Sequence, residues 1–170
     1  MESPLRLWRE ALVKHKPRRI RGAYWYRAVF HTRRKSILRM DGALSSGGRY
    51  NAPDEFGALY LSETPDGCAA EIARRPAAPQ NYILGTIRVR LQKLCDLTDE
   101  RLQSELGITL NQLRSDDWTE TRILGALIRE AGFEGMIVPS AAGEFRNLVV
   151  FMDRLAGASK VELEDVKPLR

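Results

Sequence analysis

Residues 45–71, SSGGRYNAPDEFGALYLSETPDGCAAE, contain several side chains that are suited to chemistry. The pair Gly47-Gly48 allows backbone torsions that other residues avoid and lets a ligand approach closely, so it can direct Arg49 out of a turn. Tyr60 adds an aromatic face with a hydroxyl, and Glu71 adds a carboxylate. We predict that this stretch forms the floor of a pocket for an anionic small molecule that contains rings.

Each of these residues also has a purely structural alternative. The glycine pair is compatible with a plain hairpin turn, and Tyr60 with core packing. Glu71 has Arg75 four residues later, an exposed helical pair that contributes only about 0.3–0.5 kcal/mol. Arg27, inside the aromatic strand YWYRAVF, has to face solvent, find a carboxylate or line a pocket, because a buried unpaired guanidinium costs several kcal/mol. The residues alone leave these alternatives open.

Composition indicates one ordinary globular domain, with 170 residues, 44% hydrophobic and 29% charged. The net charge of +5 favours an anionic partner, whether nucleic acid, a phosphorylated small molecule or an acidic protein. Much of it lies at residues 14–21 and 33–39, where a solvated basic face is the alternative. The chain has no apolar run long enough for a membrane span and no apolar signal region near its first residues, so we expect a cytoplasmic protein.

The cysteines and histidines are too isolated to form a metal site from local spacing. Cys68 and Cys95 lie far apart, and neither stands in a CxxC or Cys/His cluster. His15 and His31 are equally isolated, so metal-free chemistry is expected. Glycine-rich phosphate-binding motifs of the GxGxxG or GxxxxGK[ST] type are absent from the sequence.

The first half of the chain predicts two helices and two strands around this stretch. Ser3-Pro4 opens an amphipathic helix over residues 4–14, and residues 24–30 form a strand. Residues 31–47 read as a loop, and residues 58–62 as a short strand. Thr64-Pro65-Asp66 then opens a helix that Pro76 closes.

The second half adds strands over residues 82–91, 135–139 and 148–152, and an edge strand in the tail, 160–170. Thr98 is expected to cap a short helix that Gly107 ends, and residues 108–117 are ambiguous. A helix with a clear apolar stripe that includes Ile123 follows from about residue 116 to Gly132. These elements predict an α+β single domain with a mixed, largely antiparallel sheet flanked by helices, and not a doubly wound Rossmann fold.

Read together, the spaced motifs resemble the RES domain, a family named for an arginine, a glutamate and a serine. The motifs are YRA at Arg27, GGRYN at Arg49, ALYLS at Tyr60, AAEI at Glu71, VPS at Ser140 and RNLVVF at Asn147. The resemblance implies three segments. These are an N-terminal helix and basic connector (1–23), the RES domain (24–155) and a C-terminal tail packing on the same domain (156–170).

RES domains have a core similar to ADP-ribosyltransferases and are typically the toxins of bacterial toxin-antitoxin pairs. The resemblance therefore implies an enzyme that consumes NAD+ by hydrolysis or phosphorolysis. Protein ADP-ribosylation in the same pocket is the alternative, and a non-enzymatic nucleic-acid-binding module is a further one. The implied partners are NAD and an antitoxin with an Xre-type helix-turn-helix domain, with DNA reached only through that antitoxin and a homodimer left open.

The resemblance also assigns the site residues. It implies a catalytic set, Glu71, Arg27 and Tyr60, and an NAD-binding set, Arg27, Arg49, Tyr50, Tyr60, Ser140 and Asn147. Arginines suit the diphosphate, and a carboxylate suits the oxocarbenium-like ribose that forms as nicotinamide leaves. Tyr50 stands where the family commonly has tryptophan or phenylalanine. Ser140 is not expected to be a covalent nucleophile, because no histidine or lysine is placed to activate it. Water, phosphate and a protein all stay open as the acceptor.

Overall fold

The protein is described by a computed structural model over residues 3–75 and 81–169. The helices are α1 (Pro4–Lys14), α2 (Asp41–Ser46), α3 (Pro65–Ala73), α4 (Glu100–Leu106), α5 (Leu110–Arg114) and α6 (Thr119–Glu130). The strands are β1 (Arg18–Phe30), β2 (Leu59–Ser62), β3 (Tyr82–Asp96), β4 (Gly135–Pro139), β5 (Arg146–Val150) and β6 (Lys160–Pro168). None of the helices described is long and apolar enough to cross a membrane.

The six strands form one mixed sheet in the order β1-β2-β5-β4-β3-β6. Only the β3–β4 pair is parallel among the described strands, and the other pairs are antiparallel. Because β1 also pairs with β3 along most of its length, the first five strands of this order close on themselves, and β6 lies outside along β3. The predicted α+β domain with a mixed, largely antiparallel sheet is confirmed, whereas the likeness to ADP-ribosyltransferases stays a prediction.

Two hydrophobic clusters cover the two faces of this sheet. Successive side chains of β5 alternate between them: Leu148 and Val150 belong to a cluster built mainly by strands, and Val149 belongs to the other. The cluster that contains Val149 also includes side chains from the helices, for example Leu12 of α1 and Leu124 of α6. This alternation is the period of two that a strand buried on both faces requires.

Several predicted boundaries are wrong. Strand β1 begins at Arg18, inside the segment expected to be a basic connector, because it continues to pair with β3. The predicted loop 31–47 contains a 3-10 helix, His31–Ser36, followed by α2. Strand β3 continues to Asp96, and residues expected to be ambiguous contain α5.

Two assignments around the later helices are also corrected. Asp99, rather than Thr98, caps α4, because its carboxylate accepts the Arg101 N–H while Thr98 bonds to Asp96. Ile123 lies outside the buried stripe of α6, with 41% of its surface exposed. The closure of α3 by Pro76 lies outside the described residues.

The ends of three elements bring distant residues together. In α3, the Thr64 hydroxyl accepts the Gly67 N–H at 3.0 Å, which fixes where the helix begins. Antiparallel pairing places Asn147 of β5 opposite Ser62 of β2 and Val138 of β4. The turn that follows β4 therefore lies at the same end of the sheet as α3.

Candidate functional site

A cavity of about 800 Å³ opens at this end of the sheet, within the usual size range of small-molecule sites. Strands β1 and β2, helix α3 and the segments before α6 contribute to its wall. The charged residues that line it are five arginines and two carboxylates: Arg27, Arg33, Arg49, Arg74, Arg75, Glu71 and Asp116. The cavity is therefore a cationic site in which a carboxylate is also present.

Glu71 is fixed at the wall of this cavity by two side chains from the opposite side of the fold. Its Oε1 accepts a hydrogen bond from the Ser140 hydroxyl at 2.5 Å and another from Nδ2 of Asn147 at 2.9 Å. Its Oε2 accepts no hydrogen bond from the described part of the chain. The carboxylate is thus oriented through one oxygen while the other is available to a ligand.

Ser140 is completely buried, so it acts on Glu71 rather than on the cavity. Its hydroxyl donates to Glu71 and accepts the Ala142 N–H at 3.0 Å, and its carbonyl accepts from Nε of Arg114 at 2.9 Å. Its proton is directed at the carboxylate of Glu71, and neither a histidine nor a lysine is among these contacts, so the hydroxyl orients that carboxylate. Asn147, by contrast, lines the cavity as well as holding Glu71.

Tyr60 lines the cavity with its hydroxyl fully engaged. The hydroxyl donates to Oδ1 of Asn51 at 2.7 Å and accepts the Tyr50 N–H at 3.1 Å. Burial raises the pKa of Tyr60 to about 12, so it is a neutral phenol at physiological pH. Such a residue can hold a ring or a ribose but is a poor general base.

Asn51 is the residue that orients Tyr60, and sequence reasoning missed it. It is fully buried, and its Nδ2 donates to the carbonyls of Ala43 at 2.6 Å and Phe56 at 3.0 Å. These two bonds leave Oδ1 pointing at the tyrosine. The sequence feature that could have identified Asn51 is its position in GGRYN, immediately after Arg49 and Tyr50.

Tyr50 is among the residues that line the cavity, although most of it is buried beneath the wall, and its assignment to the NAD-binding set stays a prediction. Its side chain is 1% exposed and packs in the helix-side cluster, and its hydroxyl is buried with no hydrogen-bond partner among the described residues. Burial raises the pKa of this hydroxyl. What Tyr50 contributes directly is its backbone N–H, which holds Tyr60.

Arg27 lines the cavity, which was one of its three alternatives, and lies among like charges. Burial, followed by the positive charges of Arg75 and Arg33, lowers the pKa of Arg27 to about 10. Its Nη1 donates to the Arg39 carbonyl at 3.3 Å, and no ion pair with a described carboxylate offsets its charge. A bound anion would relieve the repulsion among these three guanidinium groups. Sequence reasoning missed the contribution of Arg33 and Arg75.

Arg49 is held at the cavity by backbone carbonyls. Its Nη1 donates to the carbonyls of Leu113, at 3.3 Å, and Ser115, and its Cζ lies 5.5 Å from the ring centroid of Trp118. Sequence analysis did not single out Trp118, which lies at the start of the helix predicted from about residue 116. No carboxylate in the described part of the chain forms an ion pair with Arg49, so its guanidinium group is held at the wall by carbonyls and an aromatic ring.

Metal ligation and thiol chemistry have no clear basis in the described residues. They contain no group of three or more His, Cys, Asp or Glu that could hold a metal ion. Cys68 lines the cavity, and burial raises the pKa of its thiol, which disfavours a nucleophilic thiolate.

An α+β fold with a cationic cavity and one oriented carboxylate defines a class of small-molecule site for an anionic ligand. The chain belongs to the RES domain family, whose sequence model matches residues 16–169. The predicted resemblance is therefore confirmed.

Relatives and a solved structure agree with this assignment. The "Probable NAD(+) phosphorylase Rv3189" of Mycobacterium tuberculosis is 34% identical over 140 residues, which cover 78% of this chain and 65% of that protein. The NAD(+) phosphorylase MbcT of Mycobacterium bovis is 29% identical over 118 residues, 64% of this chain and 63% of that protein. The chain thus matches just under two thirds of the length of these relatives.

The crystal structure of the M. tuberculosis MbcT-MbcA toxin-antitoxin complex matches with a TM-score of 0.81 and 24% identity. The match covers 99% of this chain and 93% of that chain. At this identity the match supports the fold alone.

Proposed function

We propose that this protein cleaves the bond between nicotinamide and ribose in NAD+ and acts as the toxin of a toxin-antitoxin pair. The observation that carries the proposal is Glu71, held through Oε1 by Ser140 and Asn147 at the wall of a cavity lined by five arginines. Relatives named NAD(+) phosphorylases support the choice of substrate.

The free oxygen of Glu71 suits the reaction that this bond undergoes. As nicotinamide leaves, positive charge develops on the ribose ring, and a fixed carboxylate stabilises it without reorganising. The same oxygen can accept a ribose hydroxyl, an interaction that strengthens as the charge grows. Ser140 and Asn147 contribute by holding the carboxylate in place, and Tyr60 by packing against the nicotinamide or the ribose.

The arginines suit the diphosphate and an anionic acceptor. The positive charges of Arg33 and Arg75 act on Arg27, so an anion beside Arg27 is favoured by more than one guanidinium group. In phosphorolysis, an oxygen of inorganic phosphate forms a bond to the anomeric carbon as the carbon–nitrogen bond breaks. The products are nicotinamide and ADP-ribose phosphorylated at that carbon. We propose phosphate as the acceptor on the basis of this cationic cluster and the names of the relatives.

Product analysis tests the reaction and its acceptor together. Purified protein is incubated with NAD+ in the presence and absence of phosphate, and nicotinamide and the ribosyl product are identified by mass spectrometry. We expect a phosphorylated ADP-ribose that depends on added phosphate. Free ADP-ribose as the sole ribosyl product would make the enzyme a hydrolase, and ADP-ribose attached to protein would make it an ADP-ribosyltransferase. If no nicotinamide were released under any condition, the proposal would be refuted.

Glu71→Gln tests the residue that carries the proposal. The substitution keeps the shape but removes the charge, and we expect kcat to fall by at least about 10²-fold, the usual effect of losing one electrostatic stabiliser. Glu105→Gln, on the exposed side of α4, is the matched control. A Glu71→Gln enzyme with the activity of the control would exclude Glu71 from the reaction.

The partner is proposed to be an antitoxin that blocks this cavity and carries an Xre-type helix-turn-helix domain. A protein of similar fold occurs in a toxin-antitoxin complex, and the proposal extends such a partner to this chain. In this proposal DNA is reached only through the antitoxin, a homodimer is left open, and the reaction takes place in the cytoplasm. Growth arrest on expression, relieved by a co-expressed antitoxin and absent for Glu71→Gln, is the expected result.

A further inference from the structure

Trp118 is a large aromatic side chain that stays 36% exposed where the cavity meets solvent. The guanidinium carbons of Arg49 and Arg122 lie 5.5 and 5.3 Å from the centroid of its ring. Arg122 is itself anchored, because its Nε donates to the Gly48 carbonyl at 2.9 Å. Both guanidinium groups therefore lie over the indole, and the three side chains form one anchored cluster of an aromatic ring and two cations.

Trp118 and Glu71 line the same cavity. Arg74, the residue that follows the end of α3, contacts Asp116, two residues before Trp118, at 3.1 Å. Arg49, Arg74 and Arg75 belong to the wall of this cavity as well, so a ligand that contacted both Glu71 and Trp118 would share the cavity with these arginines.

We propose that Trp118 binds the adenine ring of an adenine nucleotide, with the diphosphate on the arginines and the reacting ribose at Glu71. This inference rests on the proposed function and extends it by assigning the adenosine end of the site. Flat bases stack on aromatic rings and on guanidinium planes, and the exposed part of this cluster offers both kinds of group. Its two guanidinium groups also favour a nucleotide, because they suit phosphate groups close to the stacked base.

The main alternative is that Trp118 only holds Arg49 in place. In that case removing the indole would weaken the binding of any diphosphate, with or without a base attached. In the proposed arrangement, removing the indole weakens the binding only of ligands that carry adenine. Two probes therefore separate the alternatives: ADP, and inorganic pyrophosphate, which lacks the adenosine.

The experiment measures the binding of both probes to the full chain by calorimetry. The variants are Trp118→Ala, Trp118→Phe and Tyr24→Ala, the last being an exposed aromatic outside the cavity that serves as the matched control. We expect Trp118→Ala to raise the Kd of ADP by about 10- to 100-fold and to leave that of pyrophosphate within about twofold. Trp118→Phe should restore most of the ADP affinity, and Tyr24→Ala should bind both probes as the wild type does.

The same variants connect the inference to catalysis. For Trp118→Ala, kcat/KM should fall for NAD+ but stay near the wild-type value for nicotinamide mononucleotide, which has no adenosine. Equal losses for ADP and pyrophosphate, unchanged ADP affinity, or no binding of ADP by the wild type would each overturn the inference. Selective loss of ADP binding in a protein that cleaves neither substrate would keep the adenine site and refute only the proposed function.

Discussion

At the scale of single residues, the candidate site depends on groups that hold Glu71 and Tyr60, the residues proposed to act on the substrate. Glu71 is oriented by Ser140, which does not face the cavity, and Tyr60 by Asn51, which is fully buried. From sequence alone, such residues cannot be told apart from polar residues of the core. Their contribution is the hydrogen bond that they donate or accept, and the coupling energy between two mutations measures that contribution.

Ser140→Ala should lower kcat by about tenfold with little change in KM, because it frees the carboxylate that we propose to act in the transition state. If Ser140 works only through Glu71, the double variant with Glu71→Gln should be no slower than Glu71→Gln alone. Steady-state kinetics of the two single variants and the double variant give the comparison. Additive losses would show that Ser140 has a separate role.

Tyr50→Phe should stabilise the protein by about 1 kcal/mol. The Tyr50 hydroxyl is buried without a partner among the described residues, and an unsatisfied buried polar group typically costs about 1–3 kcal/mol. Phenylalanine keeps the ring that packs in the core. Urea denaturation of both proteins measures the change in the free energy of unfolding, and a destabilised Tyr50→Phe would indicate that the hydroxyl is hydrogen-bonded after all.

At the scale of elements, the glycine turn before β2 is built for close contact. A Cβ on Gly48 would lie 2.5 Å from Oη of Tyr60 and 2.8 Å from Oδ1 of Asn51. Gly47 has a φ of 70°, which favours glycine for a different reason. The turn thus brings its backbone against the side chains that shape the cavity.

Gly48→Ala should therefore destabilise the protein by about 1–3 kcal/mol and lower the affinity for NAD+, because Tyr60 has to move. Gly157→Ala is the matched control, since a Cβ there meets no atom within 4 Å. Thermal unfolding and substrate kinetics of both variants test this. An active, stable Gly48→Ala would show that the turn can shift freely.

At the scale of the whole molecule, one buried carboxylate ties three segments together. The carboxylate of Glu134, which is 2% exposed, accepts the backbone N–H groups of Gln92, Lys93 and Ala156 at 2.6–2.8 Å. Burial alone would raise its pKa, but hydrogen bonds that include these three outweigh it and keep the pKa below its ordinary value. The corner before β4 is thereby joined to β3 and to the segment leading into β6.

This linkage predicts a pH dependence of stability. Because the folded pKa is lowered, the stabilisation by Glu134 is complete above the unfolded pKa of about 4.3 and is lost as the pH falls through the folded value. Glu134→Gln should be destabilised by about 1–3 kcal/mol at pH 7, since its amide NH₂ faces an N–H donor. Urea denaturation between pH 7 and pH 3 should show this difference shrinking; a constant difference would contradict the linkage.

The sequence by itself determined the elements whose signals are local. Thr64-Pro65 predicted the start of α3 because capping involves neighbours in the chain, and the apolar run at residues 148–152 predicted a central strand. The motif order identified the family and six of the residues that line the cavity, namely Arg27, Arg49, Tyr50, Tyr60, Glu71 and Asn147. Signals within a few residues suffice where the physical cause is equally short-ranged.

Only the tertiary structure decided how these residues cooperate. Ser140 bonds to Glu71 across 69 positions of sequence, and Trp118 contacts Arg49 from an equally distant part of the chain. Tyr50 entered the core because α6 packs against its backbone, where a Cβ on Gly125 would lie 2.0 Å from its carbonyl oxygen. Long-range packing and hydrogen bonding select one arrangement among those that local propensity permits. The orientation of a side chain and its contact partner are therefore determined only when the closed sheet has formed.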